Sequence, residues 1–196
     1  MQLVTGPRRF SQAISEGDGI SIIAEVSEPE SAYLAEAQGA EGVLVYSGLE
    51  DRLQAIREAV SVPILFYWDG QHAERLHGAD ACVVGVNEWS GDLAEQARLE
   101  LDDHFELALR VQDEEELEEA LDRFDPELFV LAGKDEQALE RVLDLLPDVP
   151  VGKLVIAELP AVTRTDVEQL ERAGTDAVIV RAGNVADLAG EPPPEV

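Results

Sequence analysis

Short apolar runs separated by amphipathic segments organise this chain. Three of the runs open on one phrase: Gly39-Ala40-Glu41-Gly42-Val43-Leu44-Val45, Gly78-Ala79-Asp80-Ala81-Cys82-Val83-Val84 and Gly174-Thr175-Asp176-Ala177-Val178-Ile179-Val180. Each phrase follows helical periodicity, so its glycine is expected in the left-handed conformation that ends a helix. The apolar residues after it are continuous rather than alternating, as suits a strand covered on both faces. The same reading predicts eight strands, near Ser21–Val26, Gly42–Tyr46, Pro63–Trp68, Ala81–Val86, Phe105–Val111, Leu128–Gly133, Lys153–Glu158 and Ala177–Arg181, each followed by a segment able to form a helix. After the fifth strand, Asp113 is placed to cap a helix, with Glu116 three residues on as capping-box partner. Leu117, Ala120, Leu121 and Phe124 then form one apolar stripe. Thr163, Asp166, Val167, Leu170 and Ala173 repeat the pattern, and Pro126, Pro147 and Pro150 fall between elements, where a missing amide proton does no harm.

Eight strand–helix units in 196 residues predict a compact (β/α)8 TIM barrel, a single domain over residues 1–190 with a disordered Pro-rich tail at 191–196. The chain is short for that fold, whose usual size is about 250 residues, so the loops must be short. An open doubly wound sheet is the alternative. It usually carries a glycine-rich phosphate turn after its first strand, and here that stretch reads Glu25-Val26-Ser27-Glu28-Pro29-Glu30. In a barrel, the residues to interrogate lie at the carboxyl ends of the strands.

Charge narrows the partners. Asp and Glu number 42 against 14 Lys and Arg, a formal net charge of -28, which disfavours nucleic acid and anionic membrane as partners because both need a basic face. Only two lysines, Lys134 and Lys153, occur, a balance suited to concentrated salt and equally to an acidic proteome. The acidic residues spread over helix faces such as Asp113 to Asp122 and form no terminal block. With no signal segment at the amino terminus and no apolar run near the roughly 20 residues that cross a bilayer, a cytoplasmic protein is expected. Cys82, the one cysteine, sits in an apolar strand phrase and reads as a core residue, leaving no intrachain disulfide or cysteine-ligated metal. His72, His77 and His104 lack metal-ligand spacing, and there is no Gly-Lys-Ser/Thr phosphate loop or nucleophile elbow. No metal or cofactor is expected.

Several phrases together resemble the indole-3-glycerol phosphate synthase family, tryptophan-pathway barrels that close an indole ring with loss of carbon dioxide and water. They are Phe10-Ser11-Gln12-Ala13-Ile14-Ser15, Ile22-Ile23-Ala24-Glu25-Val26, Val62-Pro63-Ile64-Leu65, Gly78-Ala79-Asp80-Ala81-Cys82, Val111-Gln112-Asp113-Glu114-Glu115-Glu116-Leu117 and Thr163-Arg164-Thr165-Asp166-Val167, in the family's order over nearly the whole chain. The resemblance implies the barrel independently. The functional positions depart from it. Glu25 keeps the acid of the family's first-strand Glu-x-Lys, but Ser27 stands at the lysine, and Tyr67-Trp68-Asp69 replaces the third-strand Lys-Asp-Phe that carries the catalytic lysine. Arg110 stands at the fifth-strand glutamate. Ala132, Lys134 and Asp135 match the first asparagine, the arginine and the aspartate of the sixth-strand Asn-Asn-Arg-Asp. Glu158 keeps the seventh-strand glutamate, followed by Leu159 and Pro160 in place of serine and glycine.

The family's phosphate grip is altered too. It uses amides of glycine-containing turns after strands seven and eight and a Ser-Pro-Ser loop after strand one; here these read Leu159-Pro160, Val180-Arg181-Ala182-Gly183 and Glu28-Pro29-Glu30. Proline offers no amide proton, and glutamates repel a dianion.

The candidate site accordingly combines Glu25, Glu158 and Lys134 as catalytic groups with Arg110, Arg181 and the amides near Gly183 as anion-binding groups. Tyr67, Trp68 and Trp89 form either an aromatic wall for a planar ligand or a plug of the barrel. The charges read either as a site for a small carboxylate or phosphate or as internal ion pairs. Three functions follow: a divergent barrel without the ring-closing activity that binds or acts on a small anionic metabolite, a working synthase in which Lys134 replaces the missing cation, and a noncatalytic scaffold for a protein partner.

Overall fold

The computed structural model describes residues 9–17, 19–86, 93–101 and 105–189. Eight parallel strands close into a barrel in chain order: β1 (Ser21–Glu25), β2 (Gly42–Tyr46), β3 (Ile64–Tyr67), β4 (Ala81–Gly85), β5 (Glu106–Val111), β6 (Leu128–Ala132), β7 (Leu154–Glu158) and β8 (Ala177–Arg181), with β8 pairing back onto β1. The closed barrel excludes the open sheet. The described α-helices are α1 (Arg9–Ser15), α2 (Pro29–Ala37), α3 (Glu50–Ala59), α4 (Leu93–Glu100), α5 (Glu114–Arg123), α6 (Ala138–Leu145), α7 (Arg164–Ala173) and α8 (Val185–Leu188). None of the described helices is long and apolar enough to cross a membrane.

The continuous apolar strands follow from two separate cores. Side chains alternate across a strand, so Leu44 points into the barrel with Ile23, Leu65, Val130 and Ile156, while Val43 and Val45 pack outward under the helices. Cys82 belongs to the outer core, where burial pushes its thiol up to about 12 and leaves it unreactive. The amino-terminal end of the barrel is closed by α1, whose Phe10 and Ile14 sit 0% and 2% exposed in the inner core. That helix has no acidic residue in its first turn. Instead the Glu106 carboxylate, from β5, accepts the amides of Phe10 at 3.1 Å and Ser11 at 3.0 Å.

The caps expected from sequence form. Asp113 accepts the amide of Glu116 at 2.9 Å, and the Glu116 carboxylate accepts that of Gln112 at 2.8 Å, one residue before the cap. Thr163 and Asp166 bond reciprocally at the start of α7. Val167 and Leu170 are buried there, but Ala173 is exposed, so the stripe is shorter than its periodicity suggested. Phe124, at the end of α5, is half-buried with the Arg123 guanidinium 4.9 Å above its ring.

The repeated phrase proves to have a second function. Asp80 donates its amide to the Ile64 carbonyl and accepts the Ile64 amide on its carboxylate at 2.8 Å; Asp176 does the same to Val155, at 2.9 and 2.7 Å. In these two repeats the aspartate thus ties the start of its strand to the strand before it, whereas in the first repeat Glu41 does so through its amide alone, which donates to the Ile22 carbonyl at 2.9 Å. Gly39 and Gly174 adopt the left-handed conformation, with φ of 105° and 96°. Gly78 does not. Its place crowds any side chain, since a Cβ would stand 3.1 Å from the Leu53 carbonyl oxygen, tighter than ordinary van der Waals contact. The same region corrects the expectation of a helix after every strand: between β3 and β4 there is a single 3-10 turn, Ala73–Arg75. Trp68 and Leu76, both fully buried, supply the outer-core packing that a helix would otherwise give.

Candidate functional site

Because every second residue of each strand faces inward, the last inward positions form a ring at the carboxyl end of the barrel. Register places Glu25 opposite Arg181, Tyr46 opposite Tyr67, Gly85 opposite Arg110 and Ala132 opposite Glu158. A cavity of about 450 Å³ opens there, lined by Glu25, Arg110, Lys134, Glu158 and Arg181 together with Gly133, Asn184 and the segments 159–162 and 179–180. Five residues singled out from sequence therefore meet in one cavity. Its lining carries three cations and two acids, a formal +1 in a chain of net -28.

Two of these charges satisfy each other. Arg110 is 4% exposed and holds Glu158 with two parallel bonds, Nε to Oε2 at 2.6 Å and Nη2 to Oε1 at 3.2 Å. This fork-to-fork geometry is the strongest form of an ion pair between side chains. Glu25 accepts a bond from the Tyr46 hydroxyl at 2.7 Å, and the Tyr46 ring stacks on Tyr67 with centroids 5.5 Å apart and planes 27° from parallel. Burial is the main reason the Tyr46 hydroxyl holds its proton well above the ordinary tyrosine range, followed by the bond to Glu25 and the charges of Glu25 and Glu158, with Arg110 opposing. Tyr46 is consequently a permanent donor to Glu25.

Lys134 and Arg181 form no ion pair or side-chain hydrogen bond among the described residues. Lys134 is positioned by Gly133, whose amide donates to the Glu158 carbonyl at 3.0 Å and whose missing side chain lets α6 approach: a Cβ there would lie 2.3 Å from that of Ala138. Arg181 ends β8 with its side chain exposed.

The remaining candidates scatter. Tyr67 stands in the ring but packs against Tyr46 and the inner core rather than lining the cavity. Trp68 points the other way: it is fully buried in the outer core and donates from Nε1 to the Gln71 carbonyl at 2.7 Å, so it does not join an aromatic wall. Gly183 lies in the 3-10 turn Ala182–Asn184 with open space beside it, and its neighbours Arg181 and Asn184 line the cavity in its stead. Trp89 lies outside the described residues. Sequence reasoning missed Tyr46 and Asn184. Tyr46 was findable, since it ends its strand at the same inward phase as Glu25. No group of three or more His, Cys, Asp or Glu among the described residues is arranged to hold a metal.

A larger cavity, about 720 Å³, lies at the opposite end of the barrel between α1 and the turn before β7, lined by Ser11, Gln12, Ser15, Glu127, Val151, Gly152, Lys153 and Leu154. Its single cation, Lys153, is tied to Asp125 at 2.6 Å. The carboxyl-end cavity, where unpaired cations converge, is the candidate site despite its smaller volume.

The sequence matches no family model. It is 29% identical over 142 residues to an indole-3-glycerol phosphate synthase of Halobacterium salinarum and 30% identical over 145 residues to one from a Geobacillus species, each match covering 69% of this chain and 56% of the relative. These matches support a distant family relationship, and they span little more than half the length of those relatives. Among solved structures, a thiamine phosphate pyrophosphorylase from Pyrococcus furiosus superposes with a TM-score of 0.67 at 13% identity, covering 85% of this chain and 87% of that one. A phosphoenolpyruvate phosphomutase from Streptomyces platensis gives 0.70 at 16% identity, covering 93% and 83%. At such identities these two speak for the TIM-barrel fold alone.

Proposed function

We propose that this distant relative of indole-3-glycerol phosphate synthases is a divergent barrel that binds a small carboxylate or phosphate metabolite at its carboxyl-end mouth and lacks the ring-closing activity. The observation that carries the proposal is the pairing of Arg110 with Glu158 while Lys134 and Arg181 are left unpaired in the same cavity. Ring closure in the resembling family relies on positioned lysines at the first and third strands, whose places are taken here by Ser27 and Tyr67. Preorganised charge of that kind contributes heavily to a transition state, and losing one such donor costs about 100- to 1,000-fold.

The acids are also engaged. Glu158 must leave a bidentate guanidinium before it can move a proton, and Glu25 must share its carboxylate with Tyr46. Both interactions favour holding a ligand over general acid–base work. Lys134 and Arg181 are then the groups that meet the anion, and the excess of one positive charge favours its entry.

The test is direct. Purified protein is given the family's carboxyphenylamino-deoxyribulose phosphate substrate, and indole product is followed by fluorescence; no useful turnover is expected. Inorganic phosphate or an aromatic carboxylate at constant ionic strength should raise the melting temperature, and Arg181→Ala or Lys134→Ala should diminish that rise. Robust turnover that Lys134→Ala abolishes without lowering the melting temperature would establish a working synthase instead. Neither turnover nor a ligand-induced rise would leave the scaffold reading.

A further inference from the structure

Glu25 and Arg181 are register partners on β1 and β8, line one cavity and carry opposite charges, yet they do not pair with each other. Opposed cross-strand charges ordinarily attract. Glu25 instead accepts its hydrogen bond from Tyr46, which supplies no charge because its proton is firmly held. The half-buried carboxylate thus has no countercharge, while Arg181 and Lys134 lack theirs as well among the described residues. Arg110 and Glu158 cancel one another. What the cavity offers a ligand is therefore one negative charge and two positive ones.

The spacing orders these charges. Glu25 and Arg181 stand on neighbouring strands, about 4.8 Å apart at the backbone. Lys134 follows β6, two strand steps from β8, about 10 Å, which long lysine and arginine side chains can span from either side. We infer that the ligand is an acidic α-amino acid, its ammonium on Glu25, its α-carboxylate on Arg181 and its side-chain carboxylate on Lys134. This inference rests on the anion-binding reading of the mouth and narrows it. The ammonium and α-carboxylate share one carbon and match two charges on adjacent strands, and the second carboxylate reaches across the end of β7. Such a ligand carries net -1 against the lining's +1, so every charge in the complex has a partner. The cavity volume of about 450 Å³ is of the size that encloses a small metabolite.

L-glutamate, glutarate and inorganic phosphate are compared by thermal shift and titration calorimetry at ionic strength matched with potassium chloride. Glutarate keeps both carboxylates and lacks only the ammonium. Glutamate should bind at least about tenfold more tightly than glutarate, the worth of one charge-assisted hydrogen bond. At ten times its Kd it should raise the melting temperature by about 3 °C or more. Glu25→Gln, with circular dichroism unchanged, should erase the difference between the two dicarboxylates. Equal binding of glutamate and glutarate, a response to phosphate alone, or a preference that survives Glu25→Gln would overturn the ammonium assignment and leave the anion site standing. No response to any of the three, nor to an aromatic carboxylate, overturns both readings. The comparison in the unsubstituted protein decides the matter even if Glu25→Gln does not fold.

Discussion

Replacing Glu158 by alanine leaves the Arg110 guanidinium, 4% exposed, without its two-point acceptor. Removing one partner of a buried ion pair costs about 3–5 kcal/mol where the other charge is left wholly desolvated, and Arg110 keeps a further interaction of its own. The Glu158 side chain is 21% exposed, so water reaches one edge of the pair and the lower figure, about 3 kcal/mol, applies. In a chain of this length that corresponds to a fall in melting temperature of roughly 6–12 °C. Arg110→Met should cost less, since the freed carboxylate can turn toward the open cavity. The double variant Arg110→Met/Glu158→Leu removes both charges together and should lie close to the parent, because well-packed apolar replacements of buried pairs are often neutral. With the matching single variant Glu158→Leu, the parent, Arg110→Met and the double variant form a double-mutant cycle, measured by urea unfolding in molar potassium chloride so that long-range repulsion is screened equally. A loss below about 1 kcal/mol for Glu158→Ala, or a double variant as unstable as the sum of the singles, would show that the pair is solvated and contributes little.

Three other outcomes are expected. With a net charge of -28, melting temperature should rise from dilute buffer to molar potassium chloride, and a flat or falling curve would refute self-repulsion as a major term. Burial raises the Asp176 carboxyl above its ordinary value, outweighing the bond from Val155. Ionised Asp176 therefore costs stability, a cost absent below the unfolded carboxylate pKa that appears as pH rises through the raised folded one. Asp176→Asn, which keeps an acceptor for the Val155 amide, should flatten that part of the pH–stability curve, and an unchanged slope would contradict the assignment. The Thr175 hydroxyl is buried without a partner among the described residues, so Thr175→Val should stabilise by about 0.5–1 kcal/mol in urea unfolding, whereas a loss would reveal a bond that the geometry does not contain.

Most of the architecture was legible because it rests on local rules. Buried parallel strands read as unbroken apolar runs, and their observed bounds differ from the expected ones by at most one residue at either end: Gly42–Tyr46 is unchanged, Pro63–Trp68 becomes Ile64–Tyr67, and Lys153–Glu158 becomes Leu154–Glu158. The errors fall where a residue serves a distant contact. Gly78 looks like a helix-ending glycine, yet its constraint comes from Leu53, far along the chain, which no window of sequence around Gly78 contains. Trp68 looks like a mouth aromatic because it follows Tyr67 at the end of β3, but a shift of one residue turns a strand side chain to the other face, and the outer core takes it.

The site was legible as a set of positions and not as a set of pairings. Strand phase suffices to bring Glu25, Arg110, Glu158 and Arg181 to one ring, because inward positions recur at a period of two and the barrel closes them on each other. Which acid meets which base depends on side-chain reach across strands not adjacent in the barrel. Arg110 on β5 crosses past β6 to Glu158 on β7, leaving Arg181 unpaired although it stands directly opposite Glu25. That choice decides the chemistry. Had Arg181 closed on Glu25 and Arg110 been left open, the floor of the cavity would present the cation and its rim would be neutral. With the deep arginine occupied, the available positive charge lies at Arg181 and Lys134, while Glu25, held by an uncharged tyrosine, remains as the acid for which a ligand must supply the counterpart.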